Sequence, residues 1–195
     1  MRKLPKEYEN PIDDIILKYI VDPLCPFFKS LNFVPNDLTT LSLIFGLLSI
    51  YFLWNYNLPL FAISYEISYI FDCFDGHYAR KYNMVTTLGD IYDHVKDTTV
   101  FVLLLFVCFY RYKVRSETRV IFICLLVIAI ILMLSAMGCQ EKLYNKDESD
   151  TLLFTKHLCP GDALKNIHYT KLFGCGTFYV IVILLCFFLN YNKIS

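Results

Sequence analysis

Charge is what this chain has least of. Asp, Glu, Lys and Arg together make up 18% of its 195 residues, and the two signs cancel to a formal net charge of zero. Without a basic excess there is no electrostatic footprint for nucleic acid, and no nucleic-acid partner is expected. No tandem repeat and no low-complexity linker divides the chain. Cysteine is present eight times (Cys25, Cys73, Cys108, Cys124, Cys139, Cys159, Cys175, Cys186), but in no CxxC or Cys/His metal spacing. Most of these cysteines lie in apolar runs, where the side chain behaves as a small hydrophobe, so no disulfide framework is expected. The opening "MRKLPKEYENP" is too polar to read as a signal peptide.

Apolar residues fill the space that charge leaves. They account for 56% of the chain, with 17 Phe and 15 Tyr, a composition beyond that of ordinary soluble domains. The class this implies is an all-α polytopic membrane protein. At the front, "IDDIILKYI" puts Ile12, Ile15, Ile16, Tyr19 and Ile20 on one helical face, with Asp13, Asp14 and Lys18 elsewhere. This pattern suits a helix lying in the membrane interface and ending near Asp22-Pro23. Spanning helices need about 20 mostly apolar residues. Five are visible, at about 37–55, from about 58 into an aspartate-rich stretch, and at about 87–110, 119–138 and 172–190. A polar stretch of about thirty residues, 139–170, precedes the last of them. The chain therefore divides into an N-terminal segment, 1–35, and a transmembrane domain, 36–195.

Orientation follows the Lys/Arg bias. With the N-terminus in the cytosol, that side receives Arg2, Lys3, Lys6, Lys18, Lys29, Arg80, Lys81, Lys142, Lys146, Lys156, Lys165 and Lys171. The far side receives Arg111, Lys113, Arg115, Arg119 and Lys193, a ratio of twelve to five.

"FDCFDGHYARKYNMVTTLGDIYDHVKD", residues 71–97, sets five aspartates against apolar sequence. At 100° per residue, Asp72, Asp75, Gly76 and Ala79 share about one third of a helix circumference. Gly89, Asp93 and Asp97 form a second face at i, i+4, i+8. Two antiparallel helices joined by a short turn would bring both faces, and four carboxylates, into one pocket. Bare, that pocket is prohibitive, because buried charge is costly and like charges repel. Either some aspartates are protonated or cations sit between them. Oxygen ligands of this kind select Mg²⁺, Mn²⁺ or Ca²⁺, and four aspartates match two such ions.

Read as D-x2-D-G-x2-A-R-x8-G-x3-D-x3-D, the stretch resembles the signature of the CDP-alcohol phosphotransferases at all eight fixed positions: Asp72, Asp75, Gly76, Ala79, Arg80, Gly89, Asp93 and Asp97. The resemblance implies a phospholipid-synthesising transferase that uses two divalent cations, Mg or Mn. Such enzymes pass a phosphoalcohol from a CDP-linked lipid or alcohol donor to an acceptor hydroxyl and release CMP. It implies that Asp72, Asp75, Asp93 and Asp97 ligate metal, with Asp97 also the catalytic base. Gly76, Ala79, Arg80 and Gly89 then line the nucleotide and substrate site. Asn36 and Thr39 of "PNDLTTLS" resemble the family's polar lead into the first span, as nucleotide contacts or as helix caps. The same analogy implies a homodimer and six spans, the sixth either missing here or hidden in 139–170; with the Lys/Arg bias, the site of this integral membrane protein faces the cytosol, in the endoplasmic reticulum or an equivalent membrane if eukaryotic.

The context "DGHYARKYN" is similar to phosphatidylinositol synthases. That favours CDP-diacylglycerol as donor and inositol, glycerol phosphate or serine as the type of acceptor. "DHVKD", with His94, and "PNDLTTLS" lean instead to CDP-choline or CDP-ethanolamine:diacylglycerol phosphotransferases. A divalent-cation transporter is the alternative from another class, although its acids should be spread through the bilayer depth. Outside the signature, Asp90 reads as a solvated first-turn acid and Lys96 as the partner of an aspartate. Glu66 reads as an interhelical hydrogen-bonding group, and the basic residues of 139–170 as a loop facing anionic lipid.

Overall fold

The computed structural model describes residues 5–143 and 155–194, and among these the regular structure is helical. Residues 11–30 form one nearly continuous helix in three pieces. These are α1 (Pro11–Ile16), a widened turn over Leu17–Val21, and α2 (Asp22–Ser30). Asn10 starts the helix, its Oδ1 accepting the Ile12 amide at 2.9 Å, and Pro11 fills the first position, where an N–H is not needed. The expected stop at Asp22-Pro23 does not occur. Pro23 removes one helical amide, and the wide turn just before it absorbs the mismatch, so the helix runs on through Pro26. The expected apolar face also divides. Ile16, Leu17 and Val21 are buried against the bundle, whereas Ile15 and Tyr19 remain exposed.

Five long helices follow: α3 (Pro35–Trp54), α4 (Leu58–Lys81), α5 (Thr87–Tyr110), α6 (Ser116–Leu143) and, after the short α7 (Ala163–Thr170), α8 (Cys175–Tyr191). Among the described residues, three stretches are long and apolar enough to cross a membrane: α3, α6, and the run from Ala163 to Tyr191 that ends in α8. With 24 residues each, α4 and α5 reach ~36 Å and have the length, but they carry the acids of the candidate site. The chain is an all-α membrane protein. In the stretch where a sixth span was conceivable, α7 has eight residues and measures only ~12 Å; residues 144–154 lie outside the described residues.

Small residues set the closest packing. A Cβ on Gly46 of α3 would stand 2.8 Å from Val100 Cγ2 on α5 and 3.2 Å from Ser68 Oγ on α4, so these three helices meet at one seam. Ser42 and Ser68 lace it, each hydroxyl donating to the other residue's carbonyl at 2.9 and 2.8 Å. Away from the seam, Leu53, Phe61, Tyr65, Leu104, Phe122 and Leu185 build the main core between α3, α4, α5, α6 and α8. Ile121, Leu125, Ile128 and Ile131 leave the other side of α6 apolar and exposed, as lipid contact requires.

The two ends of the bundle differ in chemistry. At one end the N-terminal segment is tied to the α7–α8 region. Asn10 Nδ2 donates to Lys171 O at 2.7 Å and Thr177 Oγ1 at 2.9 Å, and Lys171 Nζ donates to Glu7 O at 2.7 Å. At the other end, Arg111 lies over the rings of Trp54 and Tyr56, and Lys193 sits 3.5 Å from the Tyr56 centroid. Arg111 and Lys193 of the minority basic group are thus seated on an aromatic belt. Arg2, Lys3 and Lys146 of the majority group lie outside the described residues.

Cysteine pairing departs from expectation. Cys139, near the end of α6, is disulfide-bonded to Cys159, with Cα atoms 4.8 Å apart. Neither spacing nor composition signals this, because the bond depends on the chain returning to α6 after the polar stretch. Gly138 permits that return: a Cβ there would stand 2.1 Å from the Thr155 carbonyl oxygen. The other six cysteines form no disulfide.

Candidate active site

The site lies where α4 ends and α5 begins. Asn83, at φ 55°, takes the left-handed conformation that closes α4 after Lys81, and Thr86 opens α5 by accepting the Gly89 amide at 3.1 Å. A five-residue connection thereby folds the two acidic helix ends against each other. Carboxylate oxygens of Asp72, Asp93 and Asp97 come within 4.8 Å of one another.

At their centre is the ammonium of Lys96, a side chain only 1% exposed. It is bonded to Asp72, stands 2.7 Å from Asp97 Oδ1 and 3.1 Å from Asp93 Oδ1, and donates to Ser42 Oγ at 3.2 Å. The pairing read for Lys96 in the sequence is therefore threefold. Asp93 Oδ1 is buried and takes no hydrogen bond from the described residues, while standing in ionic contact with the Lys96 ammonium.

Asp75 stands outside the close triplet. It is buried, and its Oδ2 accepts from Thr39 Oγ1 on α3 at 2.6 Å. One turn along α4 from Asp72, it faces the crossing α3, so three carboxylates rather than four form the tight group. Thr39 belongs to the site through that bond and also back-bonds to Pro35 O at 3.2 Å. Asn36 approaches the start of α5: a Cβ on Gly89 would lie 3.1 Å from Asn36 Oδ1 and 3.0 Å from Thr86 Oγ1. A side chain at position 89 would thus press on both. Arg80 folds back over Gly76, where a Cβ would be 3.2 Å from Arg80 Nη1, and Ala79 is half-buried beside them.

The donor set fits a hard divalent cation. Three carboxylates converge from two helices, one of their oxygens lacks a directional partner, and a positive charge already occupies the position between them.

The sequence model of the CDP-alcohol phosphatidyltransferase family matches residues 32–191. The chain belongs to that family. Membership brings with it the transfer of a phosphoalcohol from a CDP-alcohol donor to an alcohol acceptor, and it spans every residue of the site just described. No curated protein and no solved structure matches the chain.

Sequence reading missed three groups near this family site. Ser42 carried no signal beyond being a small polar residue in a span. Asp13, assigned to the polar side of the first helix, instead turns inward. Its Oδ1 accepts from Tyr69 Oη at 2.5 Å and from the Gly176 amide at 3.1 Å, and burial pushes its carboxyl up to about 6. Asp22 joins α2 to the end of α4, its Oδ1 lying 2.7 Å from His77 Nε2 and 3.0 Å from Lys81 Nζ. The other residues weighed lie to the side: His94 is 3.9 Å from Asp90, and Glu66 is partly buried deeper in α4.

Proposed function

We propose that the protein transfers the phosphatidyl group of CDP-diacylglycerol to a small alcohol of the inositol, glycerol phosphate or serine type, releasing CMP. The observation that supports this most is the convergence of Asp72, Asp93 and Asp97 within 4.8 Å, on the two helices that carry the family's signature residues. In this reading Asp72, Asp75, Asp93 and Asp97 hold two divalent cations, Mg or Mn. When bound, the cations offset the diphosphate charge and the charge that builds on the departing CMP.

The chain's own residues supply the rest. Arg80 meets a phosphate oxygen, and Gly76 and Ala79 leave space for the nucleotide beside it. Asn36, Thr39 and Gly89 shape the mouth at the α3–α5 contact. Asp97 takes the proton of the acceptor hydroxyl as its oxygen bonds to the donor's lipid-linked phosphorus and the bond from that phosphorus to CMP breaks. The catalytic unit is residues 36–195, with 1–35 as the interfacial segment, in a homodimer whose sites face the cytosol. The endoplasmic reticulum is the membrane assigned in a eukaryotic host.

Membranes containing the protein, supplied with Mg²⁺ or Mn²⁺ and a panel of CDP-activated donors and acceptors, should release CMP only with a productive pair. Turnover with CDP-choline and diacylglycerol, and none with CDP-diacylglycerol, would transfer the assignment to the choline/ethanolamine type. Asp97→Asn should abolish turnover while leaving nucleotide binding largely intact; retention of most activity would refute its role as base.

A further inference from the structure

Lys96 is a lysine where charge counting does not ask for one. Two divalent ions balance four carboxylates without help, yet this side chain brings one more positive charge into the same space. Its seat is built on every side. Three aspartates and Ser42 surround the ammonium, and 99% of the side chain is removed from solvent. No fixed position of the signature calls for it; it occupies a variable position of x3 between Asp93 and Asp97.

We propose that Lys96 is a resident counter-ion that competes with divalent cations: its ammonium neutralises the carboxylates when metal is absent and must leave their midst when metal enters. The inference rests on the metal-holding role proposed for these aspartates. Geometry carries it. Oxygens within 4.8 Å of one another surround a single cation position, and Nζ lies 2.7–3.1 Å from two of the three aspartates and is bonded to the third. An ammonium and a metal ion cannot share that point, and each would also repel the other. Lys96 thus keeps the empty site from flying apart and sets the cation concentration at which it fills. Lys81 does nothing comparable, since it bonds Asp22 away from this cluster.

The test measures Mn²⁺ alone binding to the full chain in detergent, read from the loss of the free-ion spin resonance signal, with no nucleotide or turnover involved. Lys96→Met should bind Mn²⁺ about tenfold or more tightly than the unsubstituted protein, because no competing charge has to be moved. Lys96→Arg, which keeps the charge, should stay within about threefold. Asp93→Asn should lose the binding, which locates the signal at this site. A merely structural ion pair predicts the opposite pattern: lower stability with and without metal, and an unchanged dissociation constant. If Lys96→Met unfolds in EDTA but recovers with Mn²⁺, the metal has replaced the ammonium and the proposal stands. If it stays unfolded at saturating Mn²⁺, the proposal is overturned. Binding by the unsubstituted protein with equal or weaker binding by Lys96→Met overturns the competition alone. Absence of Mn²⁺ binding in every form, or binding that survives Asp93→Asn, overturns the metal-site reading as well.

Discussion

Lys96 and Lys81 are both paired with carboxylates, and they live in opposite circumstances. Lys96 faces Asp72, Asp93 and Asp97 from a seat that is 1% exposed. Lys81, at the end of α4, is 31% exposed and shares the single Asp22 with His77. Around Lys81 the charges balance, and the cluster links α2 to α4. Around Lys96 they do not. Counted as ionised, the three carboxylates outnumber the one ammonium by two, and the ammonium is shut away from water although Asp97 is 41% exposed. A balanced cluster has no reason to recruit anything, whereas an unbalanced one has a standing demand for cations. Asp22, Cys25 and His77 also bring ligand atoms within 4.8 Å of one another, so charge balance rather than convergence distinguishes the two clusters.

Breaking the unbalanced cluster should produce the largest effect. Asp97→Asn should lower CMP release by about 10³-fold or more, within the range set by loss of a positioned base. Asp22→Asn should leave the rate within a few-fold. A comparable loss from both would mean that the Lys81 cluster belongs to the chemistry and that the contrast is wrong.

Stability should divide the two lysines next. Lys96→Met leaves three facing carboxylates without their counter-ion, and removal of one partner from a buried pair costs about 3–5 kcal/mol. Lys81→Met removes a partly exposed pair, for which about 0–1 kcal/mol is the usual scale. Thermal unfolding of both variants in EDTA reads the difference. Ser42→Ala deletes the fourth, neutral partner of Lys96 together with the seam bond to the Ser68 carbonyl, at a cost of about 1–3 kcal/mol.

Much of this site was legible before any coordinates. Period and spacing placed Asp72 on one helical face and Asp93 with Asp97 on another, and the short connection through Asn83 and Thr86 made their meeting a geometric consequence. The remainder depended on crossings between distant segments, which periodicity does not encode. Asp75 turned to Thr39 because α3 crosses there, and Cys139 met Cys159 because the chain returns past Gly138. Asp13 was misread for a physical reason. A wheel of the first helix assigns one apolar face, but this helix is covered by α4 and α8 on the side that includes Asp13, and its acid is satisfied by Tyr69 and Gly176. Pro23 is the same kind of error in the other direction, a local stop signal overridden by a widened turn.

Asp13 and Asp22 extend the comparison to pH, where the signs are opposed. Burial raises the Asp13 carboxyl from 3.8 to about 6, against the lowering effect of its bonds from Tyr69 and Gly176. Between those values the folded protein holds a proton that the unfolded chain has released. Stability therefore falls as pH rises from about 4 to about 6, by roughly 2–3 kcal/mol, and the cost persists above that. Burial acts on Asp22 in the same direction, but hydrogen bonds from Lys81 and His77 outweigh it and hold that carboxyl below its ordinary value. Its contribution is present above the unfolded value, about 3.9, and is lost as pH falls through the lowered one. Unfolding temperatures of the unsubstituted protein, Asp13→Asn and Asp22→Asn from pH 3 to 8 separate the two. Asp13→Asn should gain stability over the unsubstituted protein only above about pH 4, reaching its full advantage past pH 6. Asp22→Asn should lose a little at neutral pH and converge with the unsubstituted protein in acid. Parallel curves for the two variants would mean that a neighbouring ammonium does not decide how these carboxylates respond, and the distinction between the two clusters would lose its electrostatic basis.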